Sequence, residues 1–141
     1  MGIYPLAIAD YFLTSDISNL YVQANVCETG VEDDVIMIGN SDDVMVSLAT
    51  SFQCRLSNYA YLIGDKGYIV IPDAFRASEC HLYHLDDLVD SFSDNRQSLG
   101  YHFEADEACR LIEQGQIESQ IVTHNHSLLF QSQLARVKAQ I

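Results

Sequence analysis

Histidine and cysteine come close together at two places in the chain, Cys80-His81-x-x-His84 and His124-x-His126. Thiolate and imidazole are the ligands zinc takes, and on a strand Cys80 and His84 would share a face, as would His124 and His126. A zinc site needs three or four convergent ligands, and neither cluster supplies them alone. Both clusters therefore read as partly exposed histidines, one on a sheet edge and one at a helix start, and no metal is expected. The acidic runs Glu32-Asp33-Asp34, Asp42-Asp43 and Asp86-Asp87 offer oxygen ligands. They lack the alternating spacing, central glycine and closing glutamate of a calcium loop, so they read as solvated turn charges. No G-x-G-x-x-G follows a strand, and neither G-x-x-x-x-G-K-[ST] nor G-x-S-x-G occurs, so the chain itself is expected to bind no cofactor. The four cysteines (Cys27, Cys54, Cys80, Cys109) are scattered, without a C-x-x-C, and read as reduced, small core residues.

These residues must be held by short elements of changing period. Tyr4–Leu13 reads as a short helix with Pro5 in its first turn. Then Leu20–Glu28, Asp34–Gly39, Asp43–Gln53, Asn58–Ile63 and Gly67–Pro72 are rich in Val, Ile, Tyr and Thr and separated by turn residues. Gly64-Asp65-Lys66-Gly67 between two strong strands is the sharpest hairpin signal. Cys80–Leu85 and Asp87–Phe92 are two further strands. From Tyr101 the positions Tyr101, Ala105, Ala108 and Ile112 line one helical face, with Gly115 as the stop. Phe130, Leu134, Val137 and Ile141 repeat that rhythm. Strands bracketed by helices, without βαβ alternation, predict an α+β fold: an open, mostly antiparallel β-sheet with helices on one face, residues 1–141 forming one unit.

Composition narrows the partners. The chain has 141 residues, 48% hydrophobic and 19% charged, with 7 Lys plus Arg against 20 Asp plus Glu, a net charge of −13. Such a surface repels phosphate backbones and anionic lipid, so neither nucleic acid nor a membrane is an expected partner. No apolar run approaches the ~18 residues of a membrane span, and no basic-then-apolar leader opens the chain. A cytoplasmic protein is expected. On Asp43–Gln53, one face carries Val44, Val46, Leu48, Thr50 and Phe52, suited to packing under helices. The other carries Met45, Ser47, Ala49, Ser51 and Gln53, small and uncharged. Solvated sheet faces normally carry charge, so this one predicts a homodimer through the sheet face.

Three stretches share an order and spacing. They are Gly2-Ile3-Tyr4-Pro5; Ile63-Gly64-Asp65-Lys66-Gly67 running through Ile69-Val70-Ile71-Pro72; and Gly100-Tyr101-His102-Phe103-Glu104-Ala105, followed by Gly115-Gln116-Ile117-Glu118-Ser119. Together they resemble the C-terminal half of the Gfo/Idh/MocA oxidoreductases, closest to the dimeric dihydrodiol dehydrogenase branch. That half carries D-x-G-x-Y, a strand–G-x-x-G–strand hairpin ending in I-x-I/V-P, and a G-x-x-Y/F-E-A helix followed by G-x-x-E-S. Gln120 stands where the family usually has Pro. The resemblance implies a glyceraldehyde-3-phosphate-dehydrogenase-like C-terminal domain for substrate binding and oligomerisation. The family's N-terminal Rossmann domain is absent from this chain, and the motif aspartate would fall just before Met1, so the sequence is expected to be a piece of a longer protein or a natural truncation.

The resemblance also implies an NAD(P)-dependent dehydrogenase or reductase acting on a sugar, polyol or diol, with NAD or NADP bound mainly by the missing domain and this fragment inactive alone. Tyr4 takes the place of the motif tyrosine, which assists proton transfer at the reacting C–OH. Phe75 and Arg76 lie where relatives place an aromatic near the substrate mouth. Read from the residues alone, Tyr4 is a packing residue at a helix N-terminus and Phe75 a cap on the sheet. The alternative from another class is a non-enzymatic association module built on the same sheet.

Overall fold

The computed structural model describes residues 2–141. In chain order the elements are α1 (Ile3–Phe12), β1 (Ser18–Val26), β2 (Glu32–Ser41), β3 (Val44–Ser51), β4 (Ala60–Gly64) and β5 (Gly67–Ile71). A 3-10 turn at Ala74–Arg76 follows, then β6 (Glu79–His84), β7 (Asp87–Ser93), α2 (Tyr101–Glu113) and α3 (His124–Lys138). The fold is α+β and every strand pairing is antiparallel. No helix among the described residues is long and apolar enough to cross a membrane. The chain divides into two compact units, Met1–Leu56 with Gln120–Ile141, and Ser57–Ser119.

The first unit is a three-stranded meander, β1-β2-β3, with α1 and α3 on one face. Register places Val22 beside Met37, and Gly39 beside Val46. These strand residues point inward and pack with Leu6 of α1, Val137 of α3 and Ile17, all buried, while Leu134 and Leu48 pack against that cluster. Of the predicted stripe Phe130, Leu134, Val137 and Ile141, Val137 and Leu134 meet this core and Phe130 is buried, whereas Ile141 lies beyond the end of α3 and is exposed. Polar contacts fix α3 as well. Arg136 reaches Asp16 through Nη2, at 2.9 and 2.8 Å from the two carboxylate oxygens, and Gln133 Nε2 donates to Asp16 Oδ1 at 2.8 Å. The Gln140 side chain imitates a neighbouring strand. It accepts from Val22 N–H at 3.1 Å and donates to Leu20 C=O at 2.7 Å, closing that stretch of the β1 edge.

The second unit is the four-stranded meander β4-β5-β6-β7, followed by α2. The Gly64–Gly67 pair closes the expected hairpin. Tyr68 and Tyr83 stand opposite each other on β5 and β6 with rings stacked at 5.1 Å, and Val70 is buried beside them.

The seven strands are hydrogen-bonded as two ladders instead of one continuous sheet, which corrects the single-sheet expectation. Ser51 supplies the physical reason. Its hydroxyl accepts from Gln53 N–H and Cys54 N–H, each at 3.0 Å, and turns the chain out of the ladder where β3 ends. The cysteines also depart from expectation. All four are free thiols, but Cys54 and Cys109 are exposed and Cys27 and Cys80 half-buried, so none is a core residue. Cys54 falls in the turn that ends β3 and Cys109 on a solvent-facing side of α2, positions set by backbone path and not by apolarity. On α2 the stripe Tyr101, Ala105, Ala108, Ile112 is exposed too, Ile112 at 76%.

Candidate functional site

Tyr4 is the second residue of α1. The first turn of this helix is seated by Pro5 and Leu6, both buried. With its neighbours anchored, the Tyr4 side chain remains 54% exposed. Tyr4 belongs to the first unit, whereas Phe75 and Arg76 share one turn of the second.

That turn is fixed at its entry. Asp73 takes the left-handed conformation, φ 44°, which aspartate tolerates better than most residues. Ala74 N–H donates to Asn58 C=O and Arg76 N–H to Asp73 C=O, both at 2.7 Å. The Arg76 guanidinium is paired inside its own turn, Nη2 lying 2.7 Å from Asp73 Oδ2, and both partners are more than 40% exposed. Phe75 is 42% exposed. The turn therefore offers an aromatic face and a cation already matched by a carboxylate.

Its exit is fixed by Arg96, a residue no sequence pattern singles out. The Arg96 guanidinium donates through Nη2 to the carbonyls of Arg76 and Ala77 and through Nη1 to Asp94 Oδ2 at 3.1 Å. The link from Arg96 to the turn spans about twenty residues of chain, so only folding reveals it.

The remaining residues with chemical potential have structural partners. Ser119 Oγ donates to Glu107 Oε1 at 2.9 Å and Arg110 holds the same carboxylate through Nε at 2.8 Å, which ties the Gly115–Ser119 stretch back onto α2. Arg110 first and then Ser119 hold the Glu107 carboxyl below the ordinary 4.5. The Thr29 hydroxyl, 3.0 Å from Cys27 Sγ, is the main cause holding that thiol below its ordinary 9.0. His124 and His126 open α3, where residues two apart do not share a face. His126 instead completes a capping box. Its Nδ1 accepts from Thr123 N–H at 3.0 Å while Thr123 Oγ1 accepts from His126 N–H at 3.3 Å. β6 runs without interruption, the irregular residue opposite it being Val89 of β7, and along it Cys80 is half-buried and His84 exposed. Among the described residues no group of three or more His, Cys, Asp or Glu side chains converges.

Two depressions complete the picture. In the first unit a cleft of about 220 Å³ runs beside Val31, Val35, Phe52, Leu134 and Ile141, with Glu32 and Lys138 also on its walls. In the second a shallow groove of about 390 Å³ lies along the Gly64–Gly67 hairpin between Tyr68, Leu82 and Val89. Neither resembles a dinucleotide site. Pyrophosphate is held where a strand feeds a glycine turn and then a helix N-terminus. Here every strand lies in an antiparallel meander, Gly30 and Gly67 turn one strand into the next, and Gly100, which opens α2, follows β7 only after the loop 94–99, which holds no other glycine. The residues present do not fit a nicotinamide dinucleotide's phosphates.

Elements in this order and arrangement form part of a solved structure. The chain is similar to an aldose-aldose oxidoreductase from Caulobacter crescentus, solved as a complex with glycerol, with a TM-score of 0.80 at 14% identity. The likeness covers 99% of this chain and 43% of that one, so the chain spans less than half the length of its structural neighbour. No family model and no curated protein matches the sequence.

Proposed function

We propose that this chain is the C-terminal, substrate-binding and oligomerisation domain of an NAD(P)-dependent oxidoreductase that interconverts a carbinol and a carbonyl on a sugar, polyol or diol. The observation that carries this reading is the fold likeness to an aldose-aldose oxidoreductase over 99% of the chain. The three motifs in family order support it, as does the surface position of Tyr4 on a well-seated helix turn. NAD or NADP would be held by a domain outside this chain, since the residues here offer its phosphates nothing.

Oxidising a carbinol requires its hydroxyl proton to leave. Ionised as the phenolate, Tyr4 would take that proton, and as the phenol it would return it in the reverse direction; a cation supplied nearby would ease its ionisation. The turn of the second unit, taken by itself, offers a sugar an apolar face in Phe75 and, in the Arg76–Asp73 pair, donors and acceptors for hydroxyl groups without a net charge. The product is expected to work in the cytoplasm.

The test uses the full-length gene product that carries this chain, assayed for NAD(P)-linked oxidation of D-glucose, D-xylose and glycerol. Tyr4→Phe should lower turnover by about 10²-fold, the usual scale of a general acid–base contribution. Circular dichroism and urea denaturation of the variant, run alongside, check that the fold is kept. Wild-type turnover in that variant would reduce Tyr4 to a packing residue.

A second reading, an association module without catalysis, is favoured by one observation. The outer face of β1-β2-β3 exposes Tyr21, Ile36, Ile38 and Met45, the last at 88%. Turnover in the same assay would exclude it as a complete account.

A further inference from the structure

We propose that Arg96 is a positioning residue, which holds the main chain of the turn carrying Phe75 and Arg76 in the shape that meets substrate. The consequence for substrate rests on the reading of that turn given above.

The chain has only seven lysines and arginines, and Arg96 is placed unlike the others that make ion pairs. Its side chain is 16% exposed, against 41% for Arg76, 44% for Arg110 and 39% for Arg136. Its Nη2 donates to two consecutive main-chain carbonyls, Arg76 and Ala77, the second at 2.5 Å. A cation aimed at carbonyls fixes a backbone path, whatever side chains that path carries.

Arg96 is itself held from three directions. Asp94 Oδ1 accepts from the Arg96 backbone N–H at 2.9 Å and Asp94 Oδ2 from Nη1 at 3.1 Å. Asp94 N–H donates to Ser78 C=O at 2.9 Å, which pins the loop beside the entry to β6. The guanidinium lies over the Phe103 ring of α2, 5.5 Å from its centroid. The anchor is thus built from the loop after β7 and the first turn of α2, while Asp73 and Asn58 fix the other end of the turn.

A turn clamped at both ends presents the Phe75 ring and the Arg76 guanidinium from a set frame, so ligand binding need not order it. Lysine cannot substitute. A planar fork of five donors spans a carboxylate and two carbonyls at once, whereas a single ammonium cannot. The predicted signature is weaker substrate binding with the chemical step intact.

Two measurements test this with Arg96→Lys and Arg96→Met. Hydrogen exchange at the Arg76 amide, which donates to Asp73 C=O, should quicken at least about tenfold in both variants while the Leu82 amide of β6 stays protected. Unchanged exchange in both overturns the proposal. In the full-length gene product, KM for D-glucose should rise about tenfold with kcat within about twofold. A fall in kcat with KM unmoved marks loss of folded enzyme and overturns it as well. Phe75→Ala separates the two claims. If KM moves with Phe75→Ala but not with Arg96→Lys, Arg96 has no positioning role and the substrate turn stands. If neither moves it, the substrate reading falls and the proposal falls with it. Absence of turnover counts against the substrate reading, and the exchange measurement then decides Arg96 by itself.

Discussion

Gly67 shows how one missing carbon sets a strand's path. Its φ is +151°, and a Cβ there would stand 2.2 Å from the Tyr83 carbonyl oxygen on β6, a distance no side chain tolerates. The hairpin therefore needs glycine at its return, and Gly67→Ala should cost on the order of 2 kcal/mol by forcing β5 away from β6. Urea denaturation of the two proteins checks it, and an unchanged midpoint would show that the ladder yields at no cost. Residues whose identity follows from local backbone conformation were legible in this way: the Gly64–Gly67 hairpin and Pro5 in the first turn of α1. Residues whose role depends on partners far along the chain were not. Composition alone placed Cys54 and Cys109 in the core, yet both are exposed. Arg96 drew no notice because its partners, Arg76 and Ala77, carry their acceptors on the main chain, which every residue has. Tyr4, Phe75 and Arg76 were named through family resemblance, since a tyrosine at a helix start and an aromatic after a strand carry no signal by themselves.

At the scale of elements, each strand lies within about two residues of the bounds that its β-branched and aromatic run and the flanking turn residues predict. Local pattern decides extent because a strand's inward residues must alternate. Pattern does not decide where a ladder stops, and the Ser51 hydroxyl ended one unannounced. The docking of α3 shows the same division. Its apolar stripe was visible in the sequence, but the polar clasp was not, because Asp16 and Arg136 are separated by 120 positions. Gln133 is 2% exposed, and its Oε1 has no hydrogen-bond partner among the described residues, so Nε2 depends on Asp16. Asp16→Ala would leave that amide unpaired and take the carboxylate from Arg136, at a cost of about 1–3 kcal/mol. Asp16→Asn, which keeps one acceptor, should cost less. The two unfolding midpoints, measured together, should separate in that order. Equal loss in both would place the clasp's energy in the charge of Asp16 and not in the amide it satisfies.

For the whole molecule, the balance of charge and exposed apolar area argues for self-association. The chain carries a net charge of −13, yet the outer face of β1-β2-β3 is almost free of it. Register places Tyr21 beside Ile38, Ile38 beside Ser47, and Ile36 beside Ala49. With Gln23, Asn40 and Met45 these make a patch uncharged along its length, bounded at one end by Asp34, whose carboxylate accepts from Ser51 Oγ, and at the other by the Asp42-Asp43 turn. Tyr21, Ile36, Ile38 and Met45 are between 46% and 88% exposed, and contiguous apolar surface of this kind marks an interaction site. We propose a second copy as the occupant, because two strongly acidic chains approach most easily where neither bears charge, and a face that meets its own copy closes about a two-fold axis. The chain should therefore run in size exclusion with light scattering at roughly twice its mass, without any nucleotide-binding domain attached. Ser47→Arg combined with Ala49→Glu puts charge beside Ile38 and Ile36 at the centre of the patch and should split the dimer while circular dichroism stays unchanged. Raised salt should tighten the wild-type association by screening the acidic remainder. A monodisperse wild-type monomer at tens of micromolar would mean that this face meets water, or a different partner.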